Sequence, residues 1–443
     1  MEKVDTIVLG AGISGLTAAH YLHKKGVDFL LLESSNRAGG VIQTAKTGRY
    51  QVEKGPNSIM LNENVQALID DLGLGDKMLT APDVEKNRYL YFKGKLTPAK
   101  PGPGILKTGL LPFASVMAFL REPFVKPTTK DDESIADFFT RRLNKDILEN
   151  LINPMVSGVY AGDPAKLSLR STFKKLYAME QEHGSLIKAA IKKRKEKKFK
   201  RILTSFQGGL STFTNSLAHP FKEKTAYNST VISVTREGEG YRVSFDREGK
   251  RTAIICRQVI STVSTKATAD IFTGLAEAVK DELRQVFYAP MLLLYLAYHK
   301  NDMGFDPDGF GFLIPQKENM PFLGAIWSSA LFPQVAPANQ LLSTVFVGGA
   351  NNTAVTEQAA TQATEAENSF AGVMDIRARP EFREFYLKKE AIPQFHVGYY
   401  KIQQAIDAFE QANPGLYISG NWRSGVAIGD CVDYNKELVL KKF

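Results

Sequence analysis

Cysteine is nearly missing from this 443-residue chain, which has only Cys256 and Cys431. They form no CxxC pair, so a disulfide framework and a thiolate metal site are excluded, and both thiols are expected reduced and structural in a reducing compartment. Long apolar runs are missing too. The longest uncharged stretch of interest, Thr108 to Leu120, lies between Lys107 and Arg121, is interrupted by Pro112, and is too short to span a bilayer though able to dip into one. The opening Met1 to Asp5 is short, acidic and runs straight into a strand, so no signal peptide and a cytoplasmic start are expected. The six histidines form neither HxH nor HExxH, and there is no metal motif or nucleophilic triad, so no metal is expected. Low-complexity tracts and internal repeats are absent as well.

The length exceeds what one core usually supports, so two or three lobes are expected. The net charge of +9 is concentrated in Lys188 to Arg201, "KAAIKKRKEKKFKR", which holds nine basic residues and one acidic. Such a tract is a solvated helix face, a contact for anionic lipid headgroups or a nucleic-acid contact. Phe199 is its sole aromatic and no nucleic-acid motif accompanies it, so a nucleic-acid partner is not expected.

Val4 to Leu9 reads as a buried strand. "GAGISG" follows, with Gly10, Gly12 and Gly15 in GxGxxG spacing before a helical Leu16 to Lys24. Gly10 permits the tight turn, Gly12 lets backbone approach a pyrophosphate, and Gly15 lets helix and strand pack, while the helix N-terminus offers amide donors. A second strand, Val27 to Leu32, ends in Glu33, the acidic residue expected on a ribose diol. Strand, loop, helix, strand and acid in register point to a dinucleotide, and leave FAD and NAD open.

"ESSNRAGGVIQT" then places Arg37, Gly39 and Gly40 just after Glu33, a second close backbone approach to the same pyrophosphate or to a ribityl chain. This resembles the RxGG element of the flavin amine oxidase superfamily, and so favours FAD. Amine oxidases usually carry a second arginine after the glycine pair, where this chain has Val41.

Further along, "EKGPNSIML" (Glu53 to Leu61) precedes a helix from Asn62 to Leu72 and a strand from Tyr89 to Phe92. From Pro98 to about Phe206 the pattern is helical, with Ser134 a candidate N-cap, Ile135, Phe138 and Phe139 on one face, and Pro154 ending the next helix. Three short strands follow, Tyr227 to Val234, Tyr241 to Phe245 and Thr252 to Cys256, then a return strand Gln258 to Ser261 and, near the end, Leu416 to Ser419. Between these last two, strands are expected at Met291 to Tyr298, Phe310 to Ile314 and Leu342 to Val347.

"SGVYAGDPAKLSL" (Ser157 to Leu169) closely resembles the signature of oxygen-dependent protoporphyrinogen oxidases. "LGAIWSSALFPQVAP" (Leu323 to Pro337), "FVGGA" (Phe346 to Ala350) and "GNWRSGVAIGDC" (Gly420 to Cys431) resemble the same family in the same order. The resemblance implies an α/β fold: a discontinuous Rossmann-like FAD-binding domain (1–60, 205–270 and 401–443), a mixed-sheet substrate domain (61–97 and 271–400) and a mainly helical membrane-binding domain (98–204). It implies oxidation of protoporphyrinogen IX in heme biosynthesis, with dioxygen as acceptor, hydrogen peroxide as by-product and flavin N5 as hydride acceptor. No catalytic base is named.

The resemblance assigns cofactor contacts to Gly10, Gly12, Ile13, Ser14 and Gly15, to Glu33, Ser34, Arg37, Gly39 and Gly40, and to Gly55, Pro56, Asn57 and Ser58. Val231, Trp422, Gly425, Val426 and Ala427 complete that set. Substrate contacts fall on Arg88, facing a propionate, on Gly158, and on Leu313, Ile326 and Phe346 around the macrocycle. Thr108 to Leu120, the face after Ser134 and the basic tract are expected to bind the inner face of the cell membrane peripherally. A ferrochelatase is a candidate recipient of product. The alternatives are coproporphyrinogen III, with four propionates instead of two, an amine oxidase or carotenoid desaturase, and a non-enzymatic porphyrin carrier.

Overall fold

A computed structural model describes residues 3–99, 102–193, 199–275, 277 and 279–443, and places among them two seven-stranded sheets and a group of helices. β1 (Lys3–Leu9), α1 (Ile13–Lys24) and β2 (Phe29–Leu32) open the first sheet. β1 runs parallel to β2, with Leu9 opposite Leu32, and on its other edge parallel to the strand Lys250–Ser261, with Leu9 opposite Ser261. Thr225–Ala226 extends the sheet beyond β2, and Leu416–Ile418 lies parallel to the end of Lys250–Ser261. Ile7, Val8, Leu9, Val259 and Ile260 are all inaccessible because helices cover both faces, which is why these strands read as continuous apolar runs.

The sequence reading separates Thr252–Cys256 from Gln258–Ser261. The structure joins them in one strand of 12 residues, antiparallel to Gly240–Arg247 through its first half and parallel to β1 through its second. Arg257, the apparent break, projects to solvent and pairs with Asp5 at 2.5 Å, so it does not interrupt the ladder.

The second sheet runs in the order Phe382–Pro393, Tyr288–His299, Gln340–Gly348, Gly324–Ile326, Gly311–Leu313, Arg88–Phe92, Lys95–Pro98. Its one parallel contact, Arg88–Phe92 with Gly311–Leu313, makes it mixed. Phe382–Pro393 carries five charged residues in "FREFYLKKEAIP". It escapes sequence detection because it is an edge strand, where charge on the open side blocks pairing with other chains.

In the helical group Ser134 does cap Ile135–Arg142, accepting the Asp137 amide at 3.0 Å. Ile135, Phe138 and Phe139, however, turn into the helical core, so this face is corrected from membrane contact to packing. Pro154 ends no helix. A π-helical stretch, Leu148–Ile152, leads directly into the helix Asn153–Tyr160, with Pro154 in its first turn where no amide donor is required. Arg142, wholly buried, donates to Glu180 and Glu122 at 2.6 Å each and to the Gly184 carbonyl at 2.8 Å. Glu122 also accepts the Ser185 hydroxyl and the amides of Leu186 and Ile187, fastening the helix Leu186–Lys193 to this buried charge cluster. The middle of the basic tract, 194–198, lies outside the described residues.

Candidate active site

The first sheet places its candidate site at the carboxyl ends of its parallel strands. Gly10 has φ +93°, and a Cβ on Gly15 would stand 1.9 Å from the Gly10 carbonyl, so the turn from β1 into α1 closes only with glycine there. At Gly12 a Cβ would meet nothing within 4 Å, which leaves the start of α1 open to a ligand, and no side chain caps that helix. Ser14 is buried beside it and Ile13 half-buried. Glu33 is buried at the end of β2. Its carboxylate accepts the Ala11 amide at 2.7 Å and the Ser35 amide and hydroxyl at 2.8 Å each, which latches the glycine loop to β2 and leaves acceptor capacity over. Ser34 is exposed alongside.

The second glycine element packs on the first. The Gly39 amide donates to the Ala11 carbonyl at 2.8 Å, and a Cβ on Gly40 would meet the Gly12 Cα at 3.0 Å. Arg37, half-buried, splints this loop: its guanidinium donates to the carbonyls of Ala38, Gly40 and Ile42 and to Gln43 Oε1. Gly55 closes on the same loop, since a Cβ there would lie 2.2 Å from the Val41 carbonyl, and Pro56, Asn57 and Ser58 follow half-buried. Val231 is half-buried in the cluster that includes Leu32.

The segment from Gly420 is a one-turn helix, Asn421–Ser424, then Gly425 at φ +134°, then the helix Ile428–Lys442, which packs on α1. The N-cap Ala427 offers no side-chain cap and is exposed, and Val426 is half-buried, so a second uncapped helix start adjoins the first. Trp422 is corrected from cofactor contact to support: it is buried, and its indole N–H donates to the Val263 carbonyl at 3.1 Å. Thr262, which the sequence reading passed over, is the hub. Its hydroxyl donates to the Leu9 carbonyl at 2.8 Å, and it lies against Gly10, Gly15 and Gly420. Its signal was its place one residue beyond the strand ending at Ser261, at the carboxyl edge of a parallel sheet.

The second sheet offers a face. Arg88, Gly311, Ile326, Thr344 and Tyr295 stand in one cross-strand row, and Leu90, Leu313, Gly324, Phe346 and Leu293 in the next. The helix Asn153–Tyr160 approaches this face so closely that a Cβ on Gly158 would lie 2.4 Å from Leu313 Cδ2. The structure thus brings Arg88, Gly158, Leu313, Ile326 and Phe346 together. The Arg88 guanidinium lies over the Phe310 ring at 4.4 Å and pairs with Glu85 at 3.4 Å, and is half exposed. Thr344 donates to Asn57 Oδ1 at 3.1 Å, tying the face to the loop Gly55–Ser58.

Glu53, just before that loop, lines a small cavity with Asn57, Ile326, Ser328 and Thr344. Burial pushes its carboxyl up to about 7, against the pull of hydrogen bonds from the Leu210 amide and the Thr44 hydroxyl. Cys256 and Cys431 are free and buried. Among the described residues no three His, Cys, Asp or Glu side chains converge as a metal cage, and no helix is long and apolar enough to cross a membrane.

The sequence profile of the flavin containing amine oxidoreductases matches residues 13–433. The chain is 30% identical to the coproporphyrinogen III oxidase of Bacillus subtilis (strain 168), over 99% of its own length and 97% of the relative's. It is 31% identical to the chloroplastic protoporphyrinogen oxidase of Oryza sativa subsp. japonica, over 97% and 86% respectively. A crystal structure from Exiguobacterium sp. 255-15, named only provisionally as a protoporphyrinogen oxidase, superposes with a TM-score of 0.81 at 21% identity, covering 100% of this chain and 99% of that one.

Proposed function

Because the chain belongs to the flavin containing amine oxidoreductase family, we propose that it oxidises a porphyrinogen to the porphyrin in heme biosynthesis, with dioxygen as electron acceptor and hydrogen peroxide as by-product. The observation that carries this reading is the convergence of Arg88, Gly158, Leu313, Ile326 and Phe346 on one sheet face that Thr344 joins to the cofactor loop. The relatives' activities support it.

FAD fits the cradle. The open approach at Gly12 and the uncapped start of α1 suit the pyrophosphate, Glu33 suits a ribose diol, and the uncapped start of Ile428–Lys442 suits the electron-rich edge of the flavin ring. When bound, FAD supplies the acceptor for the electron pair that leaves a methylene bridge between two pyrroles. The chain's own residues orient and dry the substrate: Leu313, Ile326 and Phe346 flank the macrocycle, and Arg88 pairs with a propionate in place of Glu85. The flanking pyrroles delocalise the positive charge that develops, so little acid–base chemistry is asked of the protein.

Protoporphyrinogen IX, the substrate expected from sequence, and coproporphyrinogen III are the two candidates, and the position of Lys54 described below favours the second. Anaerobic mixing with each porphyrinogen tests the function: bleaching of the flavin absorbance near its visible maximum is expected, and a flavin that neither compound reduces refutes it.

Peripheral membrane binding belongs to the same proposal. The helix Phe113–Arg121 and the turn after it leave Phe113 76% and Phe124 83% exposed, with Met117 and Leu120 between them, and Ile191 lies exposed on the basic helix. Apolar insertion beside basic residues is the two-part signal a peripheral anchor needs. The double variant F113S/F124S should lose most of its sedimentation with anionic vesicles, and undiminished binding would remove this role.

A further inference from the structure

We propose that Lys54 is a second carboxylate anchor, at the end of the apolar face opposite Arg88, and that it selects a porphyrinogen with propionates on both edges of the macrocycle. The inference rests on the porphyrinogen reading above.

Lys54 follows the buried Glu53 and precedes Gly55, and it is half-buried. Its ammonium lies 5.4 Å from the centre of the Tyr386 ring. Tyr386 pairs across the sheet with Leu293, Leu293 with Phe346, Phe346 with Gly324, and Gly324 with Leu313. Lys54 therefore stands at the far end of the row that contains two of the macrocycle contacts. Arg88 begins the adjacent row at the other end. Five strand-to-strand steps of about 4.8 Å separate the two ends by roughly 24 Å at the backbone. Two long cationic side chains reaching inward from that distance bracket a macrocycle with carboxylate arms on both sides.

The contact Lys54 makes is a weak one for a half-buried cation. An ammonium over a partly exposed ring gains less than a hydrogen-bonded carboxylate gives. Among the described residues no carboxylate lies within ion-pair distance of Lys54. Glu384, two residues from Tyr386 on the same face, accepts instead from the Thr47 hydroxyl at 3.0 Å. In protoporphyrinogen IX the two propionates lie on neighbouring rings and Arg88 faces that edge, so Lys54 would meet vinyl groups. In coproporphyrinogen III propionates replace those vinyls, and the cation gains a partner.

The test compares the wild type, Lys54→Met and Lys54→Arg as FAD holoenzymes. The readouts are affinity for the unreactive products coproporphyrin III and protoporphyrin IX by fluorescence titration, and kcat/KM on both porphyrinogens. Lys54→Met should weaken coproporphyrin III binding about tenfold while moving protoporphyrin IX less than about threefold, and Lys54→Arg should keep most of the difference. Equal losses on both ligands, no loss on either, or an arginine variant that behaves like methionine overturns the assignment. A wild-type flavin that neither porphyrinogen reduces overturns the porphyrinogen reading itself, whatever the variants bind.

Discussion

The two seven-stranded sheets build their sites in opposite ways. The first presents backbone at the ends of its strands: Gly10, Gly12, Gly15, Gly39, Gly40 and Gly425 shape the cradle, and Arg37, Thr262 and Trp422 hold it from behind. The second presents side chains across its face, in rows fixed by register. Backbone at a strand end recognises what any dinucleotide offers, phosphate and ribose. A row of side chains recognises the shape and charge pattern of one substrate. Substitutions in the first sheet should therefore abolish cofactor retention, and substitutions in the second should alter substrate parameters on a protein that still carries flavin.

The largest break should come from Gly15→Ala, because the added methyl would stand 1.9 Å from the Gly10 carbonyl. Purified protein should lack flavin absorbance, and a yellow variant would show that the turn can relax. Next, Arg88→Ala should keep its flavin but raise KM roughly tenfold, the worth of one charge-assisted hydrogen bond of about 1.5 kcal/mol. Loss of flavin in this variant would erase the contrast between the sheets.

The finest test falls where the sheets meet. Burial pushes the Glu53 carboxyl up from 4.5 to about 7, so the folded state holds a proton through that interval that the unfolded chain has released. Stability therefore falls as pH rises from about 4.5 to 7, and above 7 a penalty on the order of 3 kcal/mol is fully present. Glu53→Gln removes the titration. Its Tm should decline less than the wild type's between pH 5 and 8, and parallel Tm profiles would mean that Glu53 stays ionised.

The first sheet was the more legible in sequence because its strands are apolar throughout and its turns demand glycine at fixed spacing, as at Gly10 and Gly15. What stayed hidden there was long-range: Arg257 looked like a break because its solvent-side pairing with Asp5 cannot be seen along the chain. In the second sheet the charged edge strand Phe382–Pro393 and the three-residue strand Gly324–Ile326 gave no alternating pattern to find. Lys54, Glu53 and Thr344 were invisible as site residues because cross-strand register and loop contact alone bring them to the face. The helix after Ser134 was capped as expected, but periodicity shows an apolar face without showing what covers it.

The strand Lys250–Ser261 closes the open edge of β1 from a position far along the chain. At about 5–20 residues per second, a ribosome takes roughly 12 to 50 s to travel between them. During that time β1, α1 and β2 can form a unit, but the other edge of β1 stays unpaired, with Ile7, Val8 and Leu9 unprotected. The completed first sheet is therefore a late product of synthesis, because the open edge of β1 has to wait for a partner strand that emerges only after more than half of the chain has been made.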